Sequence, residues 1–202
     1  MNDKEILALL RDTIMKEARM LQMVADQVDD GYIGALKLVL GCKGHVFVTG
    51  VGTSHAMAWR LAHLLSCSGA PSVFIHATDS LHGSSGAITP NDVLIAISKG
   101  GETDEVIEFS KIARRRGASV IAMTEAPEST LASMADQVVI VRVPAEADPF
   151  GMIATGSSLA NGIAGDALCV AVQQLKGYTK ESFAVTHPGG AVGKTLRKEA
   201  QA

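Results

Sequence analysis

Five short apolar runs limit the fold of this chain more than any other feature. They are "HVFVTG" at 45–50, "PSVFIH" at 71–76, "DVLIAIS" at 92–98, "ASVIAMT" at 118–124 and "QVVIVRV" at 137–143. Each is rich in β-branched residues and nearly continuous rather than alternating, the pattern of strands covered on both faces. Helical stretches at about 54–68, 103–116 and 129–135 lie between them. Parallel strands need such crossovers, so the chain is expected to form an α/β fold, a doubly wound five-stranded parallel sheet. Ahead of it, Ile6, Leu9, Leu10, Ile14, Leu21, Val24 and Val28 recur at helical spacing and predict an amphipathic helix over 4–29. A shorter helix over 32–40 ends at Gly41. This helical extension, residues 1–42, has little to bury alone and is expected to pack on the domain or on a partner subunit. A last helix, "TGSSLANGIAGDALCVAVQQLKG" at 155–177, covers the sheet. No internal repeat or linker interrupts the pattern, which reads as one domain over 1–202.

With 47% hydrophobic residues in 202, the chain has enough apolar surface for one sizeable core. A net charge of −3 gives no global attraction to nucleic acid or an anionic membrane. Arg114, Arg115 and Arg116 read as the solvated end of a helix stopped by Gly117. Three scattered cysteines show no metal-ligand spacing and suit a reducing cytoplasm; Cys67 and Cys169 read as buried small hydrophobes. No cleavable signal and no apolar run of membrane-spanning length are evident. A cytoplasmic protein is expected, with no metal, no nucleic acid partner and no membrane partner.

In a sheet of order 2-1-3-4-5, ligands bind between the carboxyl ends of the first and third strands. The loops there are "GVGTSH" at 50–55 and "SKGGET" at 98–103. Both carry glycines and hydroxyls and run straight into a helix, which is the composition of an anion cradle. Candidate ligand-binding residues are therefore Gly52, Thr53, Ser54, His55, Ser98, Lys99, Gly100, Gly101 and Thr103. Neither loop is a dinucleotide fingerprint or a Walker loop, so a small phosphate monoester fits better than a nucleotide. Near the other end, "FAVTHPGGAVGKTL" at 183–196 is too constrained for a tail: Pro188 fixes one φ, and Gly189 and Gly190 permit positive φ. It holds His187, a group that titrates near physiological pH. Asp166, in "AGDALCV", reads as hydrogen-bonded structure.

Together with "HATDSLHGSSGAITPNDVLIAISKGGETDEV", "VPAEADPFGMIATGS" and "GDAL", these segments resemble the sugar isomerase (SIS) domain of arabinose-5-phosphate isomerases over about residues 40–197. The resemblance implies a flavodoxin-like sandwich and aldose–ketose isomerisation of a sugar phosphate through an enediol, with no cofactor. It implies acid–base roles for Glu105, Glu146 and His187, with His82 as a further pocket histidine. It also implies a homo-oligomer, dimer or tetramer, in which the histidine reaches a neighbouring subunit's site. The first loop departs from the family pattern: Thr53 stands where those isomerases carry lysine. Lys99 occupies a usually neutral position in the second loop and is expected to return a positive charge to the crevice, while Gly100 replaces a serine. Many relatives continue into two nucleotide-sensing domains, and control of that kind is expected to be absent here. Two other readings stay open: a non-catalytic phosphosugar sensor, and an amino-sugar-phosphate isomerase or deaminase, suggested by "GTS". Retention of Glu105, Glu146 and His187 together favours catalysis, and the N-terminal helices lack the basic charge of a DNA-binding head.

Overall fold

The computed structural model describes residues 1–199. The strands are β1 (Val46–Gly50), β2 (Ser72–Phe74), β3 (Val93–Ile97), β4 (Ser119–Thr124) and β5 (Gln137–Ile140). All pair in parallel, in the order β2-β1-β3-β4-β5, as the apolar runs require. The helices are α1 (Asp3–Ala25), α2 (Asp30–Gly41), α3 (Thr53–Cys67), α4 (Ala77–Ser80), α5 (Asp104–Arg115), α6 (Thr130–Met134), α7 (Thr155–Leu175), α8 (Lys180–Thr186) and α9 (Gly190–Glu199), with a 3₁₀ turn at Ser84–Ala87.

Every residue of β1 and β3 is buried. Successive side chains in these strands point to opposite faces, so one run feeds two cores. Val46, Val48, Val93, Ile95 and Ile97 pack against α2, α3 and α7 through Val39, Leu61, Leu65, Leu168 and Val172. Phe47 and Leu94 pack on the other face against Phe109 and Ala113 of α5. The chain leaves β1 on one face and β3 on the other, which makes the sheet doubly wound.

The N-terminal helices divide differently from the sequence reading. Asp29 accepts a hydrogen bond from the Gly31 N–H and caps α2, so α1 stops at Ala25 rather than near residue 29. Tyr32, Ala35 and Val39 of α2 and Val24 of α1 join the main core. In contrast, Ile6, Leu9, Leu10 and Ile14 of α1 are exposed.

The arginine run is structural in two of its three positions. Arg114 donates to the Met134 carbonyl and to Asp136, and Arg116 donates to the carbonyls of Ile88 and Gly86. Asp166 pairs with Arg60 through both carboxylate oxygens. Cys169 is buried as expected, but Cys67 is half-exposed. Its Sγ lies 3.6 Å from His63 Nε2 and 3.5 Å from His187 Nε2, because it ends α3 where the chain from α8 crosses.

At the edge opposite the crevice, buried Asp92 accepts from the N–H groups of His45 and Thr89, each at 2.6 Å, and from Thr89 Oγ1 at 2.8 Å. Burial alone raises its pKa; these hydrogen bonds outweigh it and hold the carboxyl below its usual range. A depressed folded-state pKa contributes stability above the unfolded pKa that is lost as pH falls. Asp92→Asn is expected to lower stability by about 1–3 kcal/mol at neutral pH. In thermal melts the gap to wild type should narrow as pH drops below about 4. A gap that stays constant with pH would assign the loss to shape rather than charge.

Candidate active site

Five helices start from the carboxyl edge of the sheet: α3 after β1, α4 after β2, α5 after β3, α6 after β4, and α7 after the segment that follows β5. The N-cap residues of α3, α5 and α7 are Gly52, Thr103 and Ala154, and none makes a side-chain capping bond among the described residues. The N-caps of α1, α2, α4, α6 and α8 all make one, through Asn2, Asp29, His76, Ser129 and Thr179. α3 and α5 therefore open beside the crevice with N–H groups that no capping side chain takes up, while Asp104 and Glu105 lie in the first turn of α5 and Glu146 accepts the Ser157 N–H of α7.

Glycines shape both loops. Gly50 lies so close to α3 that a Cβ would sit 2.7 Å from the Ser54 carbonyl oxygen. Gly52 has φ +63° and starts α3, with Thr53 exposed and Ser54 and His55 half-buried in its first turn. In the second loop Gly101 has φ +68°, and a Cβ there would meet Ser129 Oγ at 2.0 Å. Gly100, by contrast, faces open space. Ser98 is buried; its Oγ lies 2.9 Å from Thr103 Oγ1 and accepts the Gly101 N–H at 3.2 Å. The Lys99 carbonyl is held by Thr124 Oγ1 and the Glu125 N–H, and Glu102 accepts from the Thr130 N–H at the start of α6. The second loop is thus tied to β4 and α6 on one side and open on the other.

Lys99 and Glu146 meet. Lys99 Nζ lies 2.8 Å from Glu146 Oε1, and Glu146 Oε2 accepts the Ser157 N–H of α7 at 3.1 Å. Burial raises the Glu146 pKa, but the hydrogen bonds from Lys99 and Ser157, with the lysine charge, outweigh it and hold the carboxyl below its usual range. A cavity of about 820 Å³ adjoins this acid, lined by Leu9, Leu10 and Lys16 of α1, by Asp148 and by Thr155. Thr155 Oγ1 is buried with no partner among the described residues. Glu105 is half-buried in the first turn of α5, without a side-chain hydrogen bond among the described residues. His82 is exposed in the turn after α4.

His187 stands apart from these groups. It follows α8 and stacks on Phe183, with ring centroids 3.7 Å apart. Its Nδ1 lies 3.1 Å from the Phe183 carbonyl and 3.0 Å from Thr186 Oγ1, and its Nε2 faces Cys67 Sγ. Cys67 is the last residue of α3 and Thr53 the first. At 1.5 Å per residue the two ends are about 20 Å apart. Within one chain, His187 lies at the far end of α3 from the glycine loops at 50–55 and 98–103.

The sequence reading named both loops but missed Ser157 and Thr155, whose only signal was the hydroxyl run "TGSS" opening α7. It also missed His76, whose ring centroid lies 4.9 Å from that of His55 beside Phe74.

This fold defines an α/β class of parallel-sheet domains, and within it the chain belongs to the SIS domain family, whose model matches residues 39–171. It is 36% identical over 193 residues to the arabinose 5-phosphate isomerase KdsD of Shigella flexneri, a match covering 96% of this chain. It is 36% identical over 195 residues to the arabinose 5-phosphate isomerase KpsF of Escherichia coli, again over 96% of this chain. The chain spans 57% and 62% of the length of these two relatives. Among solved structures, an Escherichia coli CFT073 protein in complex with arabinose 5-phosphate aligns with a TM-score of 0.90 at 32% identity, covering 93% of this chain and 100% of that one.

The two glycines of the second loop give contrasting expectations. Gly101→Ala should destabilise the protein by about 1–3 kcal/mol, from a left-handed backbone and the clash with Ser129. Gly100→Ala should fall within about 0.5 kcal/mol of wild type. Equal melting temperatures for the two variants would contradict the loop geometry.

Proposed function

We propose that this chain is a phosphosugar isomerase that interconverts an aldose and a ketose phosphate of the arabinose 5-phosphate and ribulose 5-phosphate type. It acts in the cytoplasm as a homo-oligomer. The observation that most supports this reading is the pair of uncapped helices, α3 and α5, opening side by side from neighbouring strands. Their free N–H groups, with Ser54, Ser98 and Thr103, hold the phosphate. The likeness to arabinose 5-phosphate isomerases supports the pentose phosphate.

Isomerisation needs ring opening and then transfer of a proton between C1 and C2. Glu105, unpartnered among the described residues at the mouth of α5, is the candidate base for that transfer. Glu146 is the second carboxyl group of the site, and His82 lies on the rim. His187 serves the site of a neighbouring chain, because its own chain holds it about 20 Å away along α3. The exposed apolar residues of α1, with Phe150, Met152 and Ile153 in the segment before α7, offer surface for such an assembly.

Glu105→Gln and His187→Ala should each lower turnover of arabinose 5-phosphate by about 10²–10⁴-fold with modest change in binding. Mixed and reassembled, the two variants should regain up to about a quarter of wild-type activity, since some sites then combine an intact glutamate with an intact histidine. Subunit exchange is verified with mass-tagged chains. Complete exchange without recovery overturns the shared site, and wild-type turnover in both variants removes the two residues from the mechanism.

A further inference from the structure

Lys99 and Glu146 are unequal partners. The lysine side chain is 40% exposed and the glutamate side chain 1%. The carboxylate is fixed inside by the Ser157 N–H, whereas the ammonium sits on a flexible stem whose backbone alone is anchored. Other charges face this acid too. Lys16 of α1 lines the adjoining cavity but is paired with Asp12 at 2.8 Å. Asp148, in the same segment as Glu146, accepts from the N–H groups of Phe150, Met152 and Ile153. Among the described residues, Lys99 is the one cation bonded to Glu146 and the one that has solvent on its other side.

An oxyanion arriving at the first turns of α3 and α5 competes with Glu146 for that ammonium. It carries up to two charges against one, and it is held by N–H groups that the carboxylate does not reach. We propose that bound phosphate takes Lys99 as its counter-ion, and that Glu146, parted from the ammonium, takes up one proton from solvent and becomes a neutral carboxylic acid facing the crevice. This inference rests on the phosphosugar reading above. The balance is simple: Nζ gives up its hydrogen bond to Glu146 and donates to a phosphate oxygen, and Oε1 gains a proton released by hydronium or a buffer acid, with no other covalent bond formed or broken. Lys99 and the hydrogen bonds from Ser157 together now offset the burial of this carboxyl; with the ammonium drawn away, Ser157 alone opposes burial and the nearby phosphate charge, which both favour the protonated form. A carboxylate can only accept a hydrogen bond, while the neutral acid can donate one to a sugar oxygen. Substrate binding itself thus supplies the acid needed for ring opening. The same exchange accounts for a lysine at position 99, in the loop that faces the buried acid, when Thr53 carries no charge.

The test is calorimetry of sulfate binding in two buffers of different ionisation enthalpy at about pH 7. Sulfate does not titrate in this range, so any proton taken up belongs to the protein. Wild type should take up close to about one proton per sulfate. Glu146→Gln should lose that uptake while binding sulfate at least as tightly, since its lysine is free. Lys99→Met should bind about tenfold more weakly and also lose the uptake. Sulfate binding without proton uptake in wild type overturns the exchange, as does equal uptake in Glu146→Gln, which would assign the proton to His55 or His76. Failure of both sulfate and arabinose 5-phosphate to bind at all overturns the phosphosugar reading together with the exchange; binding without uptake overturns the exchange alone.

Discussion

The pairing of β1 with β3 is the constraint on which the rest of this structure depends. These strands are not consecutive in the chain, yet they run in register from Val46↔Val93 to Gly50↔Ile97. Ending together, they start the loops at 50–55 and 98–103 side by side. The chain then departs to α3 on one face and to α5 on the other, so the loops diverge and a gap opens between two helix N-termini. Alternation of side chains between two unlike cores enforces the register, because a slip of one residue would exchange Val48 for Phe47 between them. The crevice is thus a consequence of how the sheet is wound, and the glycines at 50, 52 and 101 shape its rim.

The parts of the fold that could be read from sequence were those with strong periodicity. β1, β3 and β4 announce themselves as continuous β-branched runs, and α1, α3, α5 and α7 as apolar patterns long enough to carry a period. β2 is shorter than its run suggests: the Ile75 N–H still donates to the Val48 carbonyl of β1, but His76 turns away to cap α4. α4, α8 and the 3₁₀ turn are too brief to show a period at all. Among site residues, both loops were legible as glycine and hydroxyl clusters ahead of helices. The Lys99–Glu146 pair was not, since its members lie 47 residues apart and only the fold joins them. Cys67 was misread for a related reason: its neighbour His187 is 120 residues away.

The proposed chemistry gathers around an energetic asymmetry. A carboxylate as buried as Glu146 is expensive to keep ionised unless a cation and a hydrogen-bond donor both face it. Lys99 and Ser157 supply these, yet the lysine is also the residue that an incoming anion can draw away. Structural and functional demands on one ammonium therefore conflict, and in the proposed reaction that conflict couples binding to acid–base readiness. His187 shows a second displacement of the same kind: its ring stacks on Phe183 and faces Cys67 at the end of α3 remote from the loop at 50–55. On the proposed reading, assembly of subunits completes the site.

What matters most in the proposed function is that the crevice converts a sugar phosphate rather than merely holding it. The most direct measurement follows D-arabinose 5-phosphate with the wild-type protein in D₂O by NMR. Catalysis predicts appearance of the ketopentose phosphate and an equilibrium reached from either direction. Line broadening of the sugar resonances that reports binding, with neither conversion nor exchange of the proton next to the carbonyl for this or any other pentose or hexose phosphate, would contradict it and leave a phosphosugar sensor.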